Sequence, residues 1–150
     1  MSPASVLTWL LTFGALAAIL GFVFRRSRSF ASHPLAGPRM RQVTGLYLPL
    51  LETALLLCLL GIFLSARPAD RALSAAPQVL LGLAVGFSIT IALLPAAQGF
   101  VLSERLKARG EVEAAGRLAT RGFFVLLVGS AGVLVTMFAG LILINPATGT

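Results

Sequence analysis

Four long apolar runs, separated by polar segments, dominate the chain. They cover Val6–Phe24, Val43–Ser65, Gln78–Leu102 and Gly122–Ile144. Each run is long enough to cross about 30 Å of hydrocarbon as a helix. No run has a polar face along its length, as a surface helix of a soluble protein would, and none shows the roughly ten-residue alternation of barrel strands. The pattern predicts an all-α membrane protein with four transmembrane helices.

The four runs are expected to pair as two helical hairpins within a single membrane domain, residues 1–150. The first hairpin is predicted over residues 1–65, an outer link over 66–77 and the second hairpin over 78–150. The first run is predicted to be an uncleaved anchor, because no basic side chain precedes it.

Basic residues are concentrated between particular runs. The segments 25–42 and 103–121 carry five each, whereas residues 66–77 carry two. The positive-inside rule then places both rich segments in the cytoplasm and both termini on the non-cytoplasmic side. The net charge of +7 is read as a topology signal, so nucleic-acid binding is not predicted. One lysine to eleven arginines, with abundant Ala, Gly and Leu, favours a bacterial inner membrane.

Glu52 is the one acidic residue inside an apolar run. A charge at that depth costs at least ~2.5 kcal/mol, and a desolvated carboxyl group favours its neutral form. Such a group carries a proton, binds a cation, or hydrogen-bonds a neighbouring helix as a structural element. Carboxyl groups inside membranes are more often functional, which favours the first two roles. Pro49, three residues earlier, is expected to kink the helix and free a carbonyl.

The third run has small residues at every second position from 82 to 92. Small residues allow helices to approach closely in a bilayer. This helix is expected to be flanked tightly on two sides, as in a closed ring, although ordinary packing within one bundle uses the same residues. The predicted packing positions are Gly82, Gly86, Ser88 and Gly99.

The two predicted hairpins align without gaps at an offset of 78 residues. Residues 21–23, Gly-Phe-Val, then fall on 99–101, also Gly-Phe-Val, and Arg39 falls on Arg117. The alignment favours an internal duplication. Glu52 falls on Ser130, so only one of the two hairpins carries the carboxyl group.

These features resemble the ring-forming proteolipid of rotary ATPases (the c or K subunit of F-type and V/A-type enzymes) in its duplicated four-helix form. Residues 50–55, Leu-Leu-Glu-Thr-Ala-Leu, look like the neighbourhood of its carboxylate. Residues 110–117, Gly-Glu-Val-Glu-Ala-Ala-Gly-Arg, are similar to its polar loop, and residues 97–99, Ala-Gln-Gly, to the inner-helix segment before that loop.

The resemblance implies a function and a set of partners. Glu52 would carry a proton, or a sodium ion, in a rotor ring made of copies of this chain. A stator subunit would present a membrane arginine to Glu52, and basic loop residues would contact the central stalk. The implied oxygen ligands are Thr53, Gln98 and Ser130. The implied stalk contacts are Arg39, Arg41 and Arg117. No ligand stands at Ile19 and Leu20, which favours protons over sodium.

Two other functions fit the same residues. In a structural subunit of a respiratory or photosynthetic complex, Glu52 would pair with a partner's cation and the basic segments would face anionic lipid. In a small dimeric cation-coupled transporter, Trp and Tyr side chains would line the pocket near the carboxyl group. Tyr47 lies one turn from Glu52, whereas Trp9 lies in the first run nearer the outer side; since aromatic residues near span ends are more often interface anchors, this function ranks third. An enzyme is not predicted, because His33 is the only histidine, Cys58 the only cysteine, and neither forms a nucleophile–base pair or metal cluster in the sequence.

Overall fold

The computed structural model describes residues 3–65 and 76–144, which are helical except at two turns. Its elements are α1 (Pro3–Ala31), α2 (Pro38–Gln42), a π-helical turn (Val43–Tyr47), α3 (Leu48–Ser65), α4 (Ala76–Ala108) and α5 (Val112–Ile144). Four stretches are long and apolar enough to cross a membrane: Val6–Ala31, Pro38–Leu64, Pro77–Ala108 and Val112–Ile142. The prediction of an all-helical chain with four candidate membrane spans is confirmed. Most of the predicted outer link and both chain ends lie outside the described residues.

The basic segments between the runs are mostly helical, which the prediction of spans ending at Phe24 and Leu102 missed. α1 continues to Ala31 and α4 to Ala108, and α5 starts ten residues before Gly122. Arginine, lysine, alanine and glutamate favour helices even outside the membrane, so loss of hydrophobicity does not end these helices. The two described turns are short, at residues 32–37 and 109–111.

The second turn is a Schellman motif built around Gly110. The φ of Gly110 is +80°, in the left-handed region that glycine adopts without a Cβ penalty. The Glu111 N–H donates to the Leu106 carbonyl at 3.1 Å, and the Gly110 N–H donates to the Lys107 carbonyl at 3.0 Å. These bonds satisfy carbonyls at the end of α4, and α5 starts immediately afterwards.

A π-helical turn interrupts the second span before Pro49. The Leu48 N–H donates to the Val43 carbonyl, five residues back. Pro49 has no N–H, and its ring crowds the carbonyl four residues before it. The wider turn ahead of Pro49 accommodates that ring. The disturbance of the helix expected at Pro49 is therefore a π turn. Compared with an uninterrupted α-helix, this turn rotates α3 about its axis relative to α2.

The helices form one bundle in which α4 is central. α5 and α3 both pack along α4, while α1 lies mainly against α5 and α4 and makes few contacts with α3. A mid-bundle core joins α1, α3 and α4 through buried residues that include Leu16, Leu55 and Ile91. Large apolar side chains on all four long helices, such as Leu10, Leu57 and Leu134, face outward. Such a surface is suited to lipid or to other membrane helices.

α5 packs through a stripe of glycines. A Cβ on Gly129 would meet Ala92 on α4, one on Gly132 would lie 2.8 Å from Ile19 Cγ2 on α1, and one on Gly122 would lie 3.3 Å from the Ala96 carbonyl. Close helix approach through small residues is the usual packing mode in bilayers. We call Gly122, Gly129, Gly132 and Gly140 the α5 glycine stripe.

Both described turns lie at the same end of the bundle, here called the turn end. A second core at this end combines Phe30 and Ala36 with Leu102, Leu106 and Leu118. Arg105 Nη1 also donates to the Leu35 carbonyl, which links the end of α4 to the first turn. The ten lysine and arginine residues of the described ranges are in the segments that meet at this end.

Candidate ion site and polar cluster

Glu52 lies at the edge of the buried face of α3. It comes four residues after Leu48 and three before Leu55, both fully buried. The adjacent Thr53 is exposed, and Glu52 itself is half-buried. Its Oε1 atom is buried and has no hydrogen-bond partner in the described structure. The carboxyl group is thus partly inside the bundle and partly accessible from outside it.

Thr53 and Ser130 use their hydroxyl groups within their own helices. Thr53 Oγ1 donates to the Pro49 carbonyl at 2.8 Å, and Ser130 Oγ donates to the Leu126 carbonyl at 2.8 Å. Both residues are exposed. The bundle does not join either hydroxyl to Glu52 by a hydrogen bond.

Gln98 belongs to a different site, a buried polar cluster with Ser27 and Thr44. Ser27 Oγ donates to Gln98 Oε1 at 2.6 Å and lies 2.7 Å from Thr44 Oγ1. Gln98 Nε2 donates to the Met40 carbonyl at 3.0 Å and to Thr44 Oγ1 at 3.1 Å. All three side chains are at least nine-tenths buried. The cluster joins α1, the π turn and α4.

Each polar atom of the Gln98 amide therefore has a partner. A satisfied polar network fixes the register of the helices it joins, since any slip would leave buried groups unpaired. Gln98 thus acts within this chain as a connector. Ser27 and Thr44 were not among the predicted site residues. Ser27 stands between two arginines and carries no signal of burial, whereas Thr44, a polar residue near the start of the second apolar run, was a readable one.

The predicted packing residues fall on two sides of α4. Ser88 is buried, and its Oγ donates to the Val85 carbonyl at 2.7 Å. A Cβ on Gly99 would lie 3.0 Å from Gly122 Cα and 3.1 Å from Phe30 Cζ. Gly82 and Gly86 are exposed, with open space where a Cβ would be. Of the two sides of α4 that carry the alternating small residues, only one packs against other helices of the bundle.

The basic residues predicted as stalk contacts, Arg39, Arg41 and Arg117, are all exposed at the turn end. The one ion pair found in the described ranges joins Lys107 Nζ to Glu104 Oε1 at 3.5 Å, and both side chains are exposed. Such a surface pair contributes little stability. The other described cations at this end form no ion pair within the described residues. The Arg26 guanidinium lies 5.3 Å from the Phe22 ring centroid, and Arg105 donates to the Leu35 carbonyl.

Comparisons with protein-family models, curated proteins and solved structures find no match for this chain. Among the described residues, Glu52 carries the one buried side-chain oxygen that has no hydrogen-bond partner.

The remaining candidates for chemistry have local structural roles. Within residues 3–65 and 76–144, no three His, Cys, Asp or Glu side chains converge as metal ligands would. The Leu35 N–H donates to His33 Nδ1 at 3.1 Å in the first turn. Cys58 is a buried free thiol on α3. Trp9 stacks on Phe13, with ring centroids 5.5 Å apart.

Proposed function

We propose that this chain is an ion-carrying subunit of the rotor ring of a membrane rotary ATPase or ATP synthase, with Glu52 as the titrating group. The observation that carries the proposal is the buried, unpartnered Oε1 of a half-exposed carboxyl group in an apolar span. Burial without a partner is costly for a polar atom. Protonation of Glu52 lowers that cost, and so does a cationic group from outside this chain that pairs with the carboxylate once the proton leaves.

The carried ion in this proposal is a proton. Hard metal cations take several oxygen ligands, whereas no hydrogen bond within the described residues joins Glu52 to any of the implied ligands. The hydroxyl groups of Thr53 and Ser130 donate within their own helices, and the Gln98 amide is fully used in the polar cluster. Proton transfer needs only the carboxyl group and an acceptor that approaches it.

The partners follow from the same mechanism. An arginine of a stator subunit would favour the charged form of Glu52 as the ring passes it. Copies of the chain would pack side by side, and the outward glycines Gly82 and Gly86, which have open space around them, suit close approach of a neighbouring helix. The exposed Arg39, Arg41 and Arg117 would contact the central stalk.

The orientation belongs to the proposal as well. With the two hairpins turning over on the cytoplasmic side, the turn end lies in the cytoplasm and both termini lie outside. The membrane would be a bacterial inner membrane.

The first test is reaction of native membranes with a hydrophobic carbodiimide, which modifies protonated carboxyl groups in lipid. We expect fast modification of Glu52 that declines as the pH rises, because the carboxylate form does not react. Glu104, Glu111 and Glu113 are exposed at the turn end and serve as internal comparisons in the same mass map. Sodium ions should give no protection if the carried ion is a proton.

The variant Glu52→Gln should abolish ATP-driven proton uptake into inverted vesicles while leaving the assembled complex intact. Thr53→Val is the matched control, since it changes the adjacent exposed residue, whose hydroxyl serves only its own helix. No modification of Glu52 at any pH, together with normal coupling in Glu52→Gln, would instead support a structural subunit in which Glu52 is permanently paired with a partner's cation.

A further inference from the structure

A cleft at the turn end combines an apolar lining with two arginines. It has a volume of about 420 Å³ and lies between the α2–π-turn segment and α4, within the size range of small-ligand pockets. Its apolar lining includes Val43 on one side and Leu94, Ala97 and Val101 on the other. We refer to it as the basic cleft.

The charged part of the basic cleft is formed by Arg39 and Arg105. Both line it and both are exposed. Arg105 is held in place, because its Nη1 donates to the Leu35 carbonyl of the first turn. No acidic residue lines the cleft within the described ranges, and the nearby Glu104 is directed to Lys107. Within the cleft, therefore, no carboxylate neutralises the positive charge of the two guanidinium groups.

We infer that the basic cleft binds an anionic phospholipid, with the phosphate group at Arg39 and Arg105 and an acyl chain along the apolar lining. The position supports this occupant over a soluble anion. The arginines follow or precede long apolar runs, where headgroups lie, and the lining continues into the spans between two helices. Basic pockets between membrane helices are suited to anionic headgroups, and guanidinium groups bind phosphate through paired hydrogen bonds. This inference is independent of Glu52. It assigns Arg39 to the lipid phosphate, which leaves Arg41 and Arg117 for the proposed stalk contact.

The polar cluster lies beside the cleft and holds its two sides at a fixed separation, but it does not fill the cleft. Gln98 also lines the cleft, but its amide is bound to Ser27, Thr44 and the Met40 carbonyl. Those bonds hold the π turn at a fixed distance from α4. The apolar lining is consequently available to an acyl chain, and headgroup selection is left to the two arginines.

The test measures lipids retained by the purified full-length chain after exchange into nanodiscs of equal phosphatidylglycerol and phosphatidylcholine. The wild-type chain should retain phosphatidylglycerol preferentially. Arg39→Gln with Arg105→Gln should lower that preference about fivefold for each arginine. Arg25→Gln with Arg109→Gln removes the same charge from exposed positions outside the cleft and should leave most of the preference. An equal loss in both double variants would overturn the inference in favour of general surface charge.

Replacing Arg105 also removes its hydrogen bond to the Leu35 carbonyl of the first turn. A second pair of variants therefore tests the cleft with all of its charges in place. Ala97→Phe fills the lining without changing any charge and should also reduce retention, whereas Ala18→Phe, at an exposed position of α1 outside the cleft, should not. Unchanged retention in Ala97→Phe would overturn the proposed place of the acyl chain. Displacement of the retained lipid by inorganic phosphate would show a soluble-anion site and would overturn the lipid as occupant.

Discussion

At the scale of single residues, the glycines of α5 differ sharply in what surrounds them. A Cβ on Gly129 would overlap Ala92, including its Cα at 2.7 Å, whereas nothing lies within 4 Å of a Cβ on Gly116. Backbone atoms of a packed helix cannot move aside as the end of a flexible side chain can. The two glycines of one helix therefore respond oppositely to the same substitution.

Gly129→Ala should destabilise the bundle by about 1–3 kcal/mol, the usual cost of overpacking. Gly116→Ala should stabilise it by up to about 1 kcal/mol, because alanine has the higher helix propensity. Thermal unfolding of the purified chain in one detergent measures both. If both substitutions were stabilising, α4 and α5 would not be as close as the α5 glycine stripe places them.

The buried polar cluster gives a second prediction for a single residue. Gln98→Leu removes the acceptor of the Ser27 hydroxyl and the side-chain donor to the Met40 carbonyl, and should cost about 1–2 kcal/mol of unfolding free energy. Gln78→Leu, at an exposed position of the same helix, is the control and should change stability little.

Combining Gln98→Leu with Thr44→Val tests whether the cluster acts as a unit. The two residues share a hydrogen bond, so their effects should not add, and the double variant should lose less stability than the sum of the single variants. Strict additivity would mean that the cluster is not a connected network.

At the scale of elements, the π turn sets the face that α3 presents. A π turn holds one residue more than the regular helical turn it replaces, so deleting Gly45 should convert it to regular helix and leave the residues after it in the same phase relative to α2. Deleting Ala54, within the regular part of α3, should instead turn the residues after it by about 100°. Cys58, which is 8% exposed, would then take the place of Leu57, which is 61% exposed, and its alkylation by a membrane-permeant maleimide should become faster than in the Gly45 deletion.

Gly45→Ala is the matched control, because Gly45 is exposed with open space for a Cβ and the substitution keeps the residue count. It should leave the reactivity of Cys58 unchanged. Faster alkylation of Cys58 after deletion of Gly45 would contradict the assignment of the extra residue to the π turn.

The sequence was enough to predict where the four long helices lie, but not which face of each helix packs inward. The apolar runs located all four spans because length and hydrophobicity suffice for that. A span that is apolar all round carries no signal for which side packs inward. Gln98 was accordingly predicted as an ion ligand for Glu52, while the structure places it with Ser27 and Thr44. The spacing of Gly122, Gly129 and Gly132 at seven and three residues is a packing signal in the fourth apolar run, whereas the predicted packing positions all lie in the third run.

Glu52 itself could be singled out from the sequence because a lone carboxyl group in an apolar run is rare. Its half-buried position and the unpartnered Oε1 could not be, since they depend on the phase of α3 after the π turn. Under the proposed function, the groups that complete the site belong to other chains, and a single sequence does not contain them.

At the scale of the whole molecule, charge is distributed along one axis. The described lysines and arginines belong to the segments at the turn end. In a Cys58→Ser background, Ser32→Cys and Arg109→Cys place a thiol in each described turn. An impermeant maleimide should label both thiols in inverted vesicles and neither in intact cells, as the positive-inside rule requires. Labelling in intact cells would reverse the proposed orientation.

The length of the helices has a consequence for how the turn end meets water. α4 and α5 have 33 residues each, or about 50 Å at 1.5 Å per residue, against about 30 Å of hydrocarbon. From the end of the apolar run at Leu102, the turn at Arg109 therefore stands about 10 Å farther out. That distance is about one Debye length at physiological salt. Arg109 should therefore be electrostatically screened from the lipid surface. We expect it to attract soluble anionic partners instead, and this attraction should weaken with added salt. Arg105, one helical turn closer to the bilayer, remains within the field of the headgroups.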